Sequence, residues 1–422
     1  MQRRKILLYG SGNGREHATL RALKFDHNTD VDVRCLVHGT NALMLREPGV
    51  YSIKSRNDAL SFAEEFQPDN VLILSPTELI AGDADFFSQN GYNVFGASQK
   101  ASLIEHSKVF SKKFMMKYHI PTPDYYAAQN LVDAETYLIE NWSLRKKGYV
   151  LKKDIFSMNA YDRTDTPDTL EEAITSVRRL YNGAESGQMI LEERISGYEL
   201  SLHILVDGSR YYVMPAVQDY KKLFPNDLGP MTHGVAAVAT SAPYPIDLYS
   251  KICKQIIEPT LEGFIAEKIE YKSLLYIGLM IENGEPRVLE YNVRSGNPEW
   301  LSLMGLLDVP FMDMLDNFGE HSWKQNVFSL TSFGLAAGYP ETPRPYYTEA
   351  ISGLDLIENV DLIGESILSR DGLYYPSGGR VFALRSTDAS FDGAQQKIST
   401  AFNSLRMNGV YYRNDLKPLI LQ

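Results

Sequence analysis

The chain has 422 residues, of which 44% are hydrophobic and 23% charged, a composition typical of a globular protein with roughly two to four domains. Its net charge of −11 argues against a general nucleic-acid or anionic-membrane binder, because both need basic surface. Cys35 and Cys253 are far apart and lack CxxC spacing, so neither a zinc site nor a disulfide framework is indicated. The apolar run near the start ends at Gly10, too short for a signal peptide, and no stretch is long enough to span a membrane. We therefore expect a cytoplasmic protein that binds small molecules.

The first hundred residues predict an α/β domain with a parallel sheet. The run KILLY leads into the glycine cluster GSGNG and then REHATLRALK, a segment with helical apolar spacing. This order is typical of a strand, an anion-binding loop and a helix. The glycine spacing departs from G-x-G-x-x-G, and Arg15, Glu16 and His17 open the helix, which suits contact with a phosphate and a sugar. His17 alone is equally consistent with a structural histidine.

From residue 102 the pattern changes to α+β. The segment SLIEHSKVFSKKFMMKYH predicts one helix, and TLEEAITSVRRLYNG predicts another that ends at Gly183. Residues 189–220 alternate as paired strands, with Asp207-Gly208 as a hairpin turn. The connector YPETPRPYY indicates a boundary before a small α+β unit at the carboxyl end.

Residues 276–299, YIGLMIENGEPRVLEYNVRSGNPE, carry the most informative polar pattern. The dipeptide NG lies between two apolar runs, which predicts a tight hairpin. On its second strand Glu290, Asn292 and Arg294 are two residues apart and share one face. Two oxygen ligands suited to Mg²⁺ beside a fixed cation are what a transferring phosphoryl group needs. An isolated Glu-x-Asn-x-Arg is also consistent with an ordinary solvated face, so the decision depends on distant motifs.

The other candidate residues give weak signals when each is taken alone. Lys108 and Lys152 are individually consistent with surface lysines, although Lys152 follows an apolar strand. The carboxylates of LEERISGYEL lie at a predicted strand end and turn, and the loop QDYKKLFPNDLGPMTHG has the composition of a loop that closes on a polar substrate or of an ordinary surface loop.

Taken in order, these segments resemble the glycinamide ribonucleotide synthetase (phosphoribosylamine-glycine ligase) family of the ATP-grasp superfamily. The resemblance rests on GSGNGREHA, FGASQKASLIEHSKVFSKKFMMKYHIPTP, ILEERISGYELS, QDYKKLFPNDLGPMTHG, LYIGLMIENGEPRVLEYNVRSGNPE, PSGGRVFALRS and MNGVYYRNDL. It implies an α/β and α+β multidomain protein in which a Rossmann-like α/β domain (1–101) precedes the ATP-grasp fold. The ATP-grasp domain would span 102–325, with a lid subdomain at about 122–191, and a small α+β domain would span 326–422.

The resemblance also implies a reaction and roles for individual residues. The family makes an acyl phosphate from glycine and ATP, which the amine of phosphoribosylamine attacks, with Mg²⁺ (or Mn²⁺) as the metal. Lys108 and Lys152 would hold ATP phosphates, and Glu192, Glu193 and Glu199 would border adenine and ribose. Glu290 and Asn292 would hold the metal, and Arg294 would contact the transferring phosphate. The ribose phosphate would face Gly10, Gly12, Gly14, Arg15, Glu16 and His17, and the amino acid and reacting centre would face Asp219, Lys221, Gly229, Pro230, Thr232 and Gly234.

The chain departs from the family pattern at the lid and acceptor sites. After Lys152 it reads KDIFSMNAYDRTDTP, where the family has a glycine-rich loop over the ATP phosphates, and a glycine-free loop cannot bring its backbone amides to phosphate in the same way. His233 and Ala236 stand where glycines are expected, Asn297 replaces an aspartate, and Tyr220 replaces a histidine. Two alternatives therefore stay open: a specialised ATP-grasp ligase that uses another amino acid or amine, and a catalytically impaired nucleotide-binding homologue. Both a monomer and a homodimer are consistent with the sequence.

Overall fold

The computed structural model describes residues 3–25, 31–154, 164–181, 186–341, 349–407 and 410–417. The first domain has a parallel sheet of order β3-β2-β1-β4-β5, as predicted. Its strands are β1 (Arg4–Gly10), β2 (Val31–Val37), β3 (Val50–Ser52), β4 (Asn70–Ile73) and β5 (Val94–Phe95). Its helices are α1 (Gly14–Leu23), α2 (Ala42–Leu45), α3 (Arg56–Phe66), α4 (Pro76–Ile80) and α5 (Asp83–Gln89). Successive residues of β1 enter two different buried clusters, because both faces of a parallel sheet are covered.

The predicted single helix after residue 102 is two helices. These are α6 (Leu103–His106) and α7 (Lys108–Lys117), and Ser107 between them is extended. The Ser107 side chain accepts the N–H of Phe110 and so caps α7. The break therefore has a partly local cause, a serine better suited to a helix start than to a helix interior.

The lid region is a separate four-stranded sheet of order β6-β9-β7-β8 with a core of its own. Its strands are β6 (Tyr125–Asn130), β7 (Tyr149–Lys153), β8 (Thr164–Asp165) and β9 (Ser186–Glu193), and its helices are α8 (Leu131–Asn141) and α9 (Leu170–Tyr181). The strand predicted after residue 189 is β9, which pairs with β6 and β7 rather than with β10. Gly183 and residues 155–163 lie outside the described residues.

The largest sheet has the strand order β15-β14-β10-β12-β13-β16-β20-β17, with β11 beside β10 and β21 beside β16. Its strands are β10 (Tyr198–Asp207), β11 (Arg210–Val213), β12 (Ala216–Phe224), β13 (Leu228–Thr240), β14 (Lys272–Glu282), β15 (Glu285–Asn292), β16 (Phe328–Ala336), β17 (Asp361–Gly364), β20 (Arg380–Asp388) and β21 (Val410–Tyr411). A separate hairpin consists of β18 (Ile367–Arg370) and β19 (Leu373–Pro376). The associated helices are α10 (Ile246–Ile252), α11 (Glu258–Ala266), α12 (Glu299–Leu306), α13 (Phe311–Asp316) and α14 (Phe391–Ser404).

Two features of this sheet bear on the sequence predictions. Both predicted hairpins are present, with Asp207 paired to Arg210 and Glu282 paired to Glu285. Strand β16 pairs with β13, so residues on both sides of the predicted boundary at 326 share one sheet.

Helix α12 positions the site, because it joins the first domain to the large sheet. All eight of its residues are buried, and the Trp300 indole N–H donates to Thr19 Oγ1 of α1 at 2.8 Å. This contact brings the glycine loop that starts α1 next to the chain that leaves β15. Across the described ranges, no helix is long and apolar enough to cross a bilayer.

Candidate active site

The centre of the site is the end of β15. Glu290 is exposed, whereas Asn292 is 7% exposed. Arg294 donates from Nη2 to Asn292 Oδ1 at 2.9 Å and from Nε to Glu105 Oε1 at 3.1 Å. Because the Glu105 side chain is 4% exposed, Arg294 is fixed by a buried carboxylate. Sequence reasoning gave Glu105 no role, although it lies within a quoted motif.

Glu290 and Asn292 fit a divalent cation chemically, since both supply hard oxygen donors. The Asn292 carbonyl oxygen accepts one bond from Arg294 and retains a second lone pair. Within the part of the chain that the structure describes, no cluster of three His, Cys, Asp or Glu forms a complete metal site. A Mg²⁺ ion held here would take its other ligands from nucleotide phosphate and water, which is its usual behaviour.

Lys221 lies among carboxylates and is partly exposed, with 23% of its side chain accessible. Its Nζ is 2.6 Å from Glu199 Oε2 and 3.8 Å from Asp219 Oδ2. Burial lowers the pKa of Lys221, but the charges of Glu199, Asp219 and Glu290 outweigh burial and raise it well above its usual value. Lys221 is therefore a permanent cation beside the metal-binding candidates.

Asp219 differs from the other carboxylates of this cluster. Its side chain is 2% exposed, and its Oδ1 has no hydrogen-bond partner among the described residues. Burial, then the charge of Glu299, raises the pKa of Asp219 well above its usual value. A buried oxygen without a donor is costly, so this atom is suited to receive a donor from a ligand.

Two lysines, Lys152 of β7 and Lys112 of α7, share one buried carboxylate. Lys152 Nζ donates to both oxygens of Glu192, at 3.1 and 3.0 Å, and Lys112 Nζ lies 2.9 Å from Glu192 Oε2. Glu192 is 1% exposed. Burial, with Lys152 as a further cause, lowers the pKa of Lys112 to about 8 even though Glu192 raises it. Sequence reasoning missed Lys112, whose only signal was its place four residues after Lys108.

Lys108 is the first residue of α7, directly beside the end of β7. Its backbone N–H donates to Asp154 Oδ1 at 2.6 Å, and the Ser107 hydroxyl donates to Asp154 Oδ2 at 3.0 Å. Asp154 therefore fastens the end of the lid strand that carries Lys152 to the start of α7. Glu193, by contrast, forms a partly exposed ion pair with Arg145.

The glycine loop meets the end of β15 at one carbonyl group. Arg15 Nε donates to Ser295 O at 3.1 Å, and Arg294 Nη1 donates to the same oxygen at 3.0 Å. Burial, with Arg294 as the next cause, lowers the pKa of Arg15 to about 10. Gly10 ends β1, and Gly12 has φ +79° with Val37 so close that a Cβ would lie 2.8 Å from it.

Glu16 and His17 are fully buried and contact protein groups. Glu16 Oε1 accepts the Ser75 hydroxyl at 2.6 Å, and Oε2 accepts the Asn13 N–H at 3.0 Å. His17 Nδ1 accepts the Gly364 N–H at 3.0 Å. These are the contacts of a structural histidine, the alternative that the sequence left open.

Most of the predicted loop 218–234 is strand, and its second part, the start of β13, divides into two regions. The Thr232 hydroxyl donates to Lys221 O and accepts the Gly234 N–H. A Cβ on Gly234, which has φ +97°, would lie 2.7 Å from Asp219 Oδ1. Thr232 and Gly234 thus lie beside Lys221 and Asp219, and their role as amino-acid contacts stays a prediction. Gly229 and Pro230 lie nearer the turn, where Lys222 Nζ donates to Gly229 O.

Two residues near the carboxyl end complete the site, and sequence reasoning gave neither a role. Arg380 donates from Nη1 to His233 O at 3.0 Å and to Asn297 O at 2.6 Å. Its Nη2 donates to Glu365 Oε1 at 2.9 Å, and Glu365 Oε2 accepts the Gly14 N–H. Arg380 lies in the quoted motif PSGGR, but no sequence pattern indicated Glu365.

The chain is similar to proteins of one known family. The N domain of phosphoribosylglycinamide synthetase matches residues 4–105, and its ATP-grasp (A) domain matches residues 106–300. A phosphoribosylamine-glycine ligase of Streptococcus pyogenes serotype M6 is 29% identical over 98% of both chains. One of Caldanaerobacter subterraneus subsp. tengcongensis is 28% identical over 98% of this chain and 99% of the relative.

Solved structures agree as well. The crystal structure of phosphoribosylamine-glycine ligase from Thermotoga maritima has a TM-score of 0.80 and 27% identity, and it covers 97% of this chain and 99% of that one. Biotin carboxylase from Campylobacter jejuni, at 14% identity and a TM-score of 0.68, shares the fold. The chain therefore belongs to the phosphoribosylglycinamide synthetase family, with an ATP-grasp fold that follows a Rossmann-like α/β domain, as the sequence predicted.

Proposed function

We propose that this chain is an ATP-dependent ligase that joins glycine to 5-phosphoribosylamine in purine biosynthesis, with glycinamide ribonucleotide, ADP and phosphate as products. The glycine carboxylate attacks the γ-phosphorus of ATP and ADP leaves. The amine of phosphoribosylamine then attacks the acyl carbon, loses a proton and releases phosphate. The observation that carries the proposal is Arg294, fixed between Glu105 and Asn292 and beside the exposed Glu290.

Charge neutralisation is the main requirement of phosphoryl transfer, because little covalent chemistry is left to the protein. Arg294 lies at the end of β15, where it donates to Asn292. Lys221 pairs with Glu199, and Lys152 of β7 has its Nζ 3.4 Å from Leu289 O of β15. Glu290 and Asn292 would hold Mg²⁺ (or Mn²⁺), which when bound adds positive charge at the phosphates. These residues orient the reacting groups without reorganising during the reaction.

We assign the amino acid to the Lys221 cluster. The ammonium group of glycine is a donor of the kind that the unpartnered Asp219 Oδ1 lacks. Thr232 and Gly234 line the same place, and the bare Cα of Gly234 leaves room beside Asp219.

A matched pair of lysines tests the proposal. ADP release is measured with ATP, Mg²⁺, glycine and phosphoribosylamine generated in place. Lys221→Ala removes the cation of the cluster, whereas Lys222→Ala removes its neighbour, which contacts Gly229 O instead. We expect loss of turnover only for Lys221→Ala. Equal activity of both variants would contradict the assignment.

The same assay with each common amino acid separates the alternatives. Turnover with another amino acid or amine would indicate a specialised ligase, and ATP binding without any turnover would indicate the impaired homologue. The cytoplasmic location and the monomeric or homodimeric state stay predictions.

A further inference from the structure

Glu365 follows β17 and reaches back to the glycine loop of the first domain. Its Oε2 accepts the N–H of Gly14 at 2.5 Å. Its Oε1 accepts from Asn297 Nδ2 and from Arg380 Nη2, both at 2.9 Å. The Glu365 side chain is 7% exposed, so its contacts are with protein donors rather than water.

The contact with Gly14 is at the start of α1. The first N–H groups of a helix and its dipole attract an anion. A Cβ on residue 14 would lie 2.6 Å from Glu365 Oε2, so only a glycine lets the carboxylate come this close. Glu365 therefore occupies the position of an anion at the glycine loop.

Other amides of the loop are also bonded to protein side chains. The Ser11 N–H donates to Ser75 Oγ at 3.1 Å, and the Asn13 N–H donates to Glu16 Oε2 at 3.0 Å. The N–H groups of Ser11, Asn13 and Gly14 are thus already bonded, and an anionic ligand has to replace an existing contact in order to bind to them.

Asn297 is an uncharged neighbour that Glu365 can accept a hydrogen bond from. Two carboxylates in contact cannot both stay ionised, so an aspartate at position 297 would oppose the Glu365 carboxylate. The asparagine amide instead donates to it, and Arg380 supplies the opposite charge. The asparagine at position 297 therefore avoids the repulsion that an aspartate would have with the carboxylate of Glu365.

We propose that Glu365 determines acceptor specificity by competing with the phosphate of the phosphorylated amine for the start of α1. This inference rests on the proposed function, which brings such an acceptor to the glycine loop. The acceptor binds when Glu365 leaves Gly14, and the Gly14 N–H and Arg380 then become donors for phosphate. Glu365 raises the KM for the acceptor and leaves the KM for ATP and for glycine unchanged.

Steady-state kinetics of Glu365→Gln test the proposal, because glutamine retains the shape and removes the charge. We expect the KM for phosphoribosylamine to fall roughly tenfold, as one charge-assisted contact no longer opposes binding. The matched control is Asp361→Asn on β17, where the carboxylate pairs with Arg385 at 2.7 Å, and it should leave this KM unchanged. An unchanged or higher KM in Glu365→Gln would overturn the proposal.

A binding measurement distinguishes this inference from the proposed function. Ribose 5-phosphate and inorganic phosphate are titrated calorimetrically into the full-length wild type and Glu365→Gln. Tighter binding to the variant supports the competition even if the wild type makes no product from phosphoribosylamine, and equal or weaker binding overturns it. If Glu365→Gln does not fold, Glu365→Asp replaces it, since it withdraws the carboxylate by one methylene and should shift binding in the same direction.

Discussion

The end of β15 and the glycine loop are neighbours, because side chains from both donate to the Ser295 carbonyl. They differ in whether their polar groups are exposed or already bonded within the protein. At the end of β15, Arg294 is fixed by protein, but Glu290 is exposed. At the glycine loop, the Gly14 N–H is already bonded to the buried Glu365. The end of β15, the proposed metal-phosphate side, therefore exposes a carboxylate, whereas the glycine loop, the proposed acceptor side, is bonded to an anion of the protein. Residue type alone does not reveal this difference, because both regions consist of the polar and glycine residues expected of a binding site.

The largest expected effect concerns Glu192, a predicted nucleotide contact. Like Glu365 at the glycine loop, it is buried and already paired with protein groups. Glu192→Leu leaves the buried ammonium groups of Lys112 and Lys152 facing each other without a counter-charge. We expect the free energy of unfolding, measured with urea, to fall by about 3–5 kcal/mol. Glu193→Leu is the control, because the pair of Glu193 with Arg145 is partly exposed and should contribute less than about 1 kcal/mol. Equal losses in the two variants would refute the view that Glu192 is mainly structural.

Glu290→Ala tests the open side of the comparison. We expect kcat for ADP release to fall by about 10²–10³, the size of effect that follows loss of one group that stabilises transition-state charge. Glu285→Ala removes a carboxylate at the other end of β15, which pairs with Lys251, and should leave kcat unchanged. If Glu290→Ala retains full activity over a range of Mg²⁺ concentrations, the metal assignment is wrong.

The pH dependence of stability tests His203, which lies where the two regions meet. His203 Nε2 accepts the Gly296 N–H at 3.0 Å, and burial lowers the pKa of His203 to about 3. The unfolded chain binds this proton more readily, so the stability from the neutral ring is complete above the unfolded pKa and is lost as the pH falls below it. From about pH 6.5 to pH 5 we expect a loss of about 2 kcal/mol in the free energy of unfolding.

His203→Gln removes the titrating ring and provides the comparison. Its unfolding free energy should fall less steeply over the same pH interval than that of the wild type. Identical slopes would show that the pKa of His203 is the same in the folded and unfolded states.

The two regions also differ in how far the sequence predicted them. Glu290, Asn292 and Arg294 occupy alternate positions, so strand periodicity predicted that they share one face, although β15 ends at Asn292 and Arg294 lies beyond it. Glu365 contacts Gly14 across 351 positions of the chain, and no local pattern connects such residues. Whether each predicted site residue contacts protein or ligand depends on the tertiary structure, which periodicity does not contain.

The same reasoning explains the errors in the fold. Alternation predicted β9 correctly as a strand but could not tell which sheet it joins, because a two-residue period is the same in every sheet. The apolar spacing across residues 103–117 predicted one helix, since the break at Ser107 depends partly on Asp154, 47 positions away.

The smallest expected effect concerns the break at Ser107. There the start of α7, like the start of α1, is bonded to a carboxylate from elsewhere in the chain. Asp154 accepts the Lys108 N–H at the start of α7, as Glu365 accepts the Gly14 N–H at the start of α1. Ser107→Ala removes the side-chain cap but leaves the Asp154 contact with Lys108, so we expect a loss of about 1 kcal/mol or less in the free energy of unfolding. In the background of Asp154→Ala the same substitution should cost more, because the helix start then has neither cap. Equal costs in both backgrounds would mean that Asp154 does not stabilise the start of α7. The two helix starts would then have a carboxylate in the same place without the same effect on stability.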